Sequence, residues 1–397
     1  MSLRKSMSLF KYLLTVLGYI VFSFVDLFIK TDKKILIFTS GSCNSYSGNS
    51  KYIYDAMQND ERYQCYWLTK NPQVYEYLKS QGRNVLYLYS FKSLCLIRKT
   101  KYFIGTNNNG APNILLSHKK VIIQTWHGSP LKTMGTLKKQ YRLTDWTSDF
   151  FMSKCNYFIS PSCYVSKLFE DCYKISKERF VITGNPRNDI IFKELNKEDV
   201  LEKIGKKKGL NFDKVILYCP TFRETGNNAF FPFEDFDIGK LNEFLKANRI
   251  LCILRNHYYE NDSILKLFKN ASQFLFAPAG DCKIDIQELM NISDILITDY
   301  SSIYFDYLLL NRPIIFTPVD LEEYEKTRGF LFDYNDNTPG SKVLSFSGFL
   351  QQMKLSINQP NLYEMDRSRV NEKFNKYKDN RSTERVLDLI NKLMGNE

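Results

Sequence analysis

The chain has 397 residues, more than one hydrophobic core usually serves, so two domains are expected. Hydrophobic residues at 44% and charged residues at 25% form an ordinary globular balance, which excludes a disordered chain. A formal net charge of +12 suits an anionic lipid surface or a phosphate-rich substrate; nucleic acid is set aside, because no zinc-finger spacing, RNP motif or Lys/Arg-dense arm is present.

The first element is apolar. Residues 7–29 read MSLFKYLLTVLGYIVFSFVDLFI, between Arg4 and Lys5 on one side and Lys30, Lys33 and Lys34 on the other. The charge-free stretch Tyr12–Val25 falls short of the roughly 20 residues that a spanning helix needs. Lys11 and Asp26 interrupt the longer run, and no small-residue cleavage site follows. The preferred reading is a helix over residues 1–30 that lies in the cytoplasmic membrane interface, with a tilted spanning helix or a buried core helix as alternatives.

From Lys34 onward short apolar runs alternate with amphipathic ones. The pattern predicts strands at Ile35–Thr39, Cys65–Leu68, Val85–Tyr89, Tyr102–Ile104, Val121–Thr125, Tyr157–Ile159 and Phe180–Ile182, with helices such as Ser50–Gln58, Pro72–Ser80 and Ser162–Tyr173 between them. A Lys- and Glu-rich segment, Lys193–Phe212, then separates a second block. Its strands are expected at Val215–Tyr218, Ile250–Leu254, Phe274–Phe276, Ile295–Thr298 and Ile314–Phe316. Strand–helix alternation implies parallel sheets with helices on both faces. The expected architecture is therefore α/β: two doubly wound, Rossmann-like domains over residues 31–195 and 205–360, facing a cleft as in glycosyltransferase-B folds. Residues 361–397 read as charged helices that pack back on the domain junction.

The nine cysteines are scattered without a C-x-x-C pair, which predicts reduced thiols in a cytosolic compartment rather than a disulfide framework or a structural zinc. Neither G-x-G-x-x-G nor a P-loop occurs. Phosphate binding must use another device.

The polar turns at strand ends supply it, since ligands of such sheets gather outside the carboxyl ends of the strands. His127, in Gln124-Thr125-Trp126-His127-Gly128-Ser129-Pro130, follows a strand, and Gly128 gives close backbone access. Its ordinary pKa, about 6.5, suits a proton acceptor, although a turn histidine bonded to backbone explains it equally well. Arg255-Asn256-His257 ends another strand and reads as a phosphate grip or a solvated loop. His118 reads as a surface residue. In Asp299-Tyr300-Ser301-Ser302, Ser301 and Ser302 fall at a helix start, where hydroxyls and free N–H groups attract an anion or simply cap the helix. Arg187 in Gly184-Asn185-Pro186-Arg187-Asn188-Asp189, and Thr221 and Arg223 in Pro220-Thr221-Phe222-Arg223, are further candidates. No carboxylate cluster has convincing metal spacing, so no tightly held metal or cofactor is expected.

Taken in order, Trp126-His127-Gly128, Gly184–Asp189, Pro220–Arg223, Arg255–His257, Asp299–Ser302 and Arg328-Gly329-Phe330 resemble the CDP-glycerol glycerophosphotransferases of teichoic acid synthesis. The chain differs in carrying Asn185 where the family often has an aromatic residue and Asn256 where it often has proline. The resemblance implies a peripheral enzyme on the cytoplasmic face of the membrane. It would transfer glycerol phosphate from CDP-glycerol to a polyprenyl-linked glycan acceptor and release CMP. His127 would be the base on the acceptor hydroxyl, in an acceptor-side first domain. Arg255, His257, Ser301 and Ser302 would neutralise the pyrophosphate of the donor, bound by the second domain. Asp299 would orient His257 or a substrate hydroxyl, and Gly128, Arg187, Thr221, Arg223 and Arg328 would contact substrate. A CDP-ribitol transferase and a capsule glycosyltransferase of the same fold are the alternatives. A non-catalytic nucleotide-binding scaffold is disfavoured by the two motif histidines.

Overall fold

The computed structural model describes residues 14, 16–106, 117–139, 141, 143–206, 210–221, 230–255, 268, 272–277 and 284–395. They divide into two compact units. The first comprises residues 1–127, 133–189 and 379–397, and the second residues 128–132 and 190–378.

The first unit is built on seven strands: β1 (Asp32–Thr39), β2 (Gln64–Thr69), β3 (Val85–Tyr87), β4 (Thr100–Gly105), β5 (Val121–Gln124), β6 (Tyr157–Ser160) and β7 (Phe180–Ile182). Their order is β3-β2-β1-β4-β5-β6-β7, and every neighbouring pair is parallel. Leu36 of β1, for example, lies opposite Cys65 on one side and Tyr102 on the other. Consecutive buried residues Ile35–Thr39 show why a continuous apolar run is needed: both faces of β1 are covered. The chain winds outward from β1 to β3 and then returns to β4, so the order reverses between β1 and β4.

The second unit repeats the plan with β8 (Lys214–Cys219), β9 (Ile250–Arg255), β10 (Phe274–Ala277), β11 (Ile295–Thr298), β12 (Ile314–Phe316) and β13 (Ser341–Lys342). These are all parallel, in the order β10-β9-β8-β11-β12-β13, with the reversal between β8 and β11. Much of the aromatic content is spent in its core, where Tyr218, Phe230, Phe231, Phe233, Phe268 and Phe349 cluster. The two-residue strand β13 has no apolar run to announce it. Its approach depends on Gly340, where a Cβ would sit 2.2 Å from the Ile314 carbonyl oxygen.

The expected strand bounds agree with the structure to within three residues, β13 apart, but the separating segment is no free linker. Its helix Lys197–Lys203 buries Val200 and Leu201 in the second unit, and Asn291 Nδ2 binds the carbonyls of Ile190, Ile191 and Lys193. The C-terminal helices part company: Glu364–Phe374 belongs to the second unit and Ser382–Met394 to the first.

Residues 16–25 are helical, and no helix among the described residues is long and apolar enough to cross a membrane. The helix docks on the first unit by Tyr19, edge-on to Phe150, and by a buried ionic knot at its end. Asp26 is fully buried, 3.4 Å from both Arg98 Nη1 and Lys120 Nζ, and accepts a bond from Ser117 Oγ. The Arg98 guanidinium also covers the Phe22 ring at 4.4 Å. Burial pulls the Lys120 ammonium down to about 8, with Asp26 opposing the shift. Removing one partner of a buried pair strands the other charges, at a cost of about 3–5 kcal/mol. Asp26→Ala is therefore expected to lower unfolding stability by about that amount in urea titration. A loss below about 1 kcal/mol would show that water reaches the knot.

Candidate active site

In the first unit the regular strand β5 stops one residue earlier than its apolar pattern suggests. The Thr125 N–H still donates to the Gly105 carbonyl at 2.9 Å, but Trp126 turns into the left-handed region with φ +47. A bulky residue there is uncommon and needs support. Trp126 receives it by burying its ring against Phe158, Phe169 and Tyr173, while its N–H donates to Gln124 Oε1 at 3.0 Å. The turn lifts His127 out of the sheet, where it is exposed and stacks on the Trp126 indole at 4.4 Å and 21°. Gly128 follows at φ +125, a conformation that only glycine takes readily.

His127 has solvent at its edge and dense protein around it. Desolvation, together with the nearby Arg187 guanidinium, pushes its pKa down to about 4. The imidazole is therefore neutral at physiological pH, as a proton acceptor must be. Arg187 stands in the turn after β7, in a short 3-10 helix Pro186–Phe192. Gly184, at φ +82, makes that turn, and Asn188 N–H closes it onto the Asn185 carbonyl at 2.8 Å. Asp189 of the same motif has a structural task, accepting from Ser382 N–H at 2.9 Å and Thr383 N–H at 2.7 Å to start the last helix. One residue absent from the sequence reading also lies here. Asn49, fully buried at the start of the helix Gly48–Met57, bonds to both turns. Its only signal was its place in the polar turn after β1.

In the second unit the turns after β8 and β11 meet at the reversal of strand order. Asp299 is buried, and its carboxylate accepts the N–H of Thr221 at 2.8 Å and its own neighbour's, Tyr300, at 2.5 Å. Asp299 thus clasps the two turns together. Behind it Tyr300 donates to Asp320 at 2.9 Å and Tyr334 donates to the Asp299 carbonyl at 2.9 Å. Ser301 and Ser302 are half-buried ahead of the helix Ile303–Tyr307, whose Ser302 cap makes no side-chain bond to it. Ser301 Oγ is 3.5 Å from the Ile303 N–H. Arg255 ends the neighbouring β9, half-buried, and its charge opposes the burial that raises the Cys219 thiol to about 12. Arg328 is exposed beyond the helix Leu321–Thr327, ahead of Gly329 at φ +69. His118 is exposed, as expected of a surface residue. His257 and Arg223 lie outside the described residues. Among the described residues no three His, Cys, Asp or Glu side chains gather as a metal site.

With only three histidines in the chain, the His127 ring is open to direct titration by NMR. Its midpoint is expected near 4, well below the ordinary 6.5, and Arg187→Gln should raise it by removing the opposing charge. The lowered value also means that the unfolded chain binds more protons between about 4 and 6.5, so His127 subtracts stability as pH falls through that window. A midpoint at 6.5 in both proteins would refute this electrostatic picture.

The sequence profile of the family described as CDP-glycerol:poly(glycerophosphate) glycerophosphotransferase matches residues 21–392. The teichoic acid poly(glycerol phosphate) polymerase of Bacillus spizizenii is 32% identical over 358 residues, covering 85% of this chain and 87% of the relative. The teichoic acid glycerol-phosphate transferase of Staphylococcus aureus is 30% identical over 378 residues, covering 90% and 93%. Among solved structures, the wall teichoic acid polymerase TagF superposes with a TM-score of 0.76 at 26% identity, over 99% of this chain and 98% of that one. With strand-end polar turns in place and a family match along nearly the whole chain, this protein belongs to the CDP-glycerol:poly(glycerophosphate) glycerophosphotransferase family and is an enzyme of that kind.

Proposed function

We propose that the enzyme transfers glycerol phosphate from CDP-glycerol to a hydroxyl of a lipid-linked glycan acceptor at the cytoplasmic face of the membrane, releasing CMP. The observation that carries the reading is His127: a neutral imidazole, exposed at the carboxyl end of β5 and held by the Trp126 ring. The acceptor hydroxyl attacks the glycerol-bearing phosphorus as its proton passes to His127. The new P–O bond forms while the bond to the bridging pyrophosphate oxygen breaks, and CMP leaves with that electron pair. Such a transfer asks the protein chiefly to position groups and to stabilise developing charge on phosphate oxygens. In the second unit Ser301, Ser302 and Arg255 are suited to that task, with Thr221 N–H committed to Asp299 and so serving to shape the turn. His257, Arg223 and Arg328 are assigned to the donor phosphates on chemical type, and Gly128 and Arg187 to the acceptor side. Asp299, occupied by two backbone amides, holds the donor turns in place.

The assay uses radiolabelled CDP-glycerol, CDP-ribitol and sugar nucleotides with membrane acceptor, with and without EDTA. Transfer is expected from CDP-glycerol, with His127→Ala slower by about 10²–10⁴-fold, the usual contribution of a general base. Transfer from a sugar nucleotide and from neither CDP-polyol would overturn the reaction. Full turnover by His127→Ala would overturn the base.

Attachment by the N-terminal helix rests on one apolar stripe. Leu17, Ile20, Val21, Phe24 and Phe28 are all exposed along one face, while Tyr19 and Phe22 face the protein. Exposed apolar residues on one helical face, with lysines at its end, suit a helix lying in the interface plane. Ile20→Glu together with Phe24→Glu should move the protein from sedimenting anionic vesicles to the supernatant with Asp26 and its partners untouched. Undiminished co-sedimentation would place the anchor elsewhere.

A further inference from the structure

We propose that Asn49 is a positioning residue for His127, its carboxamide tying the turn that presents the base to the turn that presents Arg187. The proposal rests on the reading of His127 as the base. Asn49 is fully buried, and its hydrogen bonds run to those two turns. Nδ2 donates to the Thr125 carbonyl at 2.7 Å, and the Trp126 carbonyl and Asn185 Oδ1 are each at 3.4 Å. Oδ1 accepts the Arg187 N–H at 3.2 Å. A buried amide has two donors and an acceptor oxygen to satisfy, and here both ends are used. The adjacent Ser50 hydroxyl adds a bond to Thr125 Oγ1 at 2.9 Å.

The reason for this arrangement lies in the left-handed Trp126. Once the chain leaves the extended form, the carbonyls of Thr125 and Trp126 lose the geometry of a sheet ladder, and in a buried turn they require other donors. One carboxamide supplies both. The same side chain then fixes the Arg187 backbone, so the positions of base and cation are referred to a single rigid group on the helix that follows β1. A general base must sit within hydrogen-bond reach of the proton it takes, and displacement of about 1 Å is enough to cost about 100-fold in rate.

Two variants and one cycle test this. Asn49→Ala removes every bond. Asn49→Asp keeps the shape and the acceptor toward Arg187 but faces the Thr125 carbonyl with an oxygen instead of a donor. Both are expected to lower kcat by about 10–100-fold. The KM for CDP-glycerol should stay within about twofold, because the donor residues belong to other turns. In the His127→Ala background, Asn49→Ala should cause no further loss of rate, as expected if it acts through the imidazole. An equal loss in both backgrounds would overturn the proposal, as would wild-type kcat in both variants or a failure of both to fold. The base reading fails on a separate result, full activity of His127→Ala alone, whatever Asn49 does.

Discussion

A strand buried on both faces has nowhere to put polar chemistry except at its ends. Both sheets of this enzyme are wholly parallel, and their central strands are apolar along their length, with β8 buried from Val215 to Cys219 and β9 from Ile250 to Leu254. Most of the candidate residues are therefore found at the ends of strands or in the turns just beyond them. The reversals of order, at β1/β4 and at β8/β11, open the space in which those turns can meet a ligand. Thr221 and Asp299 lie on the two turns that flank the second reversal, and Asn49 follows the strand that makes the first.

Turns of this kind are not stiff by themselves, and the enzyme stiffens them with buried backbone-to-side-chain bonds in place of a glycine-rich loop. Asp299 does so with a carboxylate that receives two amides, and Asn49 with a carboxamide that both donates and accepts. Aromatic rings complete the support: Trp126 under His127 in one unit, and Tyr300 stacked on Tyr324 at 4.0 Å in the other. The buried aromatic residues do both jobs, packing cores and backing the turns.

The N-terminal helix shows the opposite balance. It meets the first unit through a buried charge cluster and the rings of Tyr19 and Phe22, and its outer face carries apolar side chains that the described protein leaves uncovered. Asp26, which interrupts the hydrophobic run, looked in sequence like a limit on membrane insertion. It is one of the residues by which the helix meets the first unit.

Apolar runs and their alternation with amphipathic stretches made the two parallel sheets legible, β13 apart, because a run such as Ile250–Leu254 suits the interior of a covered sheet. It also located the candidate turns, since the residues after each run are where such sheets display function. Other features were set by tertiary contacts. The left-handed Trp126 shortens β5, and Gly340 admits β13 where no run predicts a strand. Asp189 sits in the same motif as Arg187, but its partners Ser382 and Thr383 lie about two hundred residues away along the chain, so its structural task had no local signature. The task of Asn49 was hidden for the same reason, beyond its place in the polar turn after β1: what a buried carboxamide does depends on which distant carbonyls and amides surround it, and only the folded chain brings those of Thr125 and Arg187 to it.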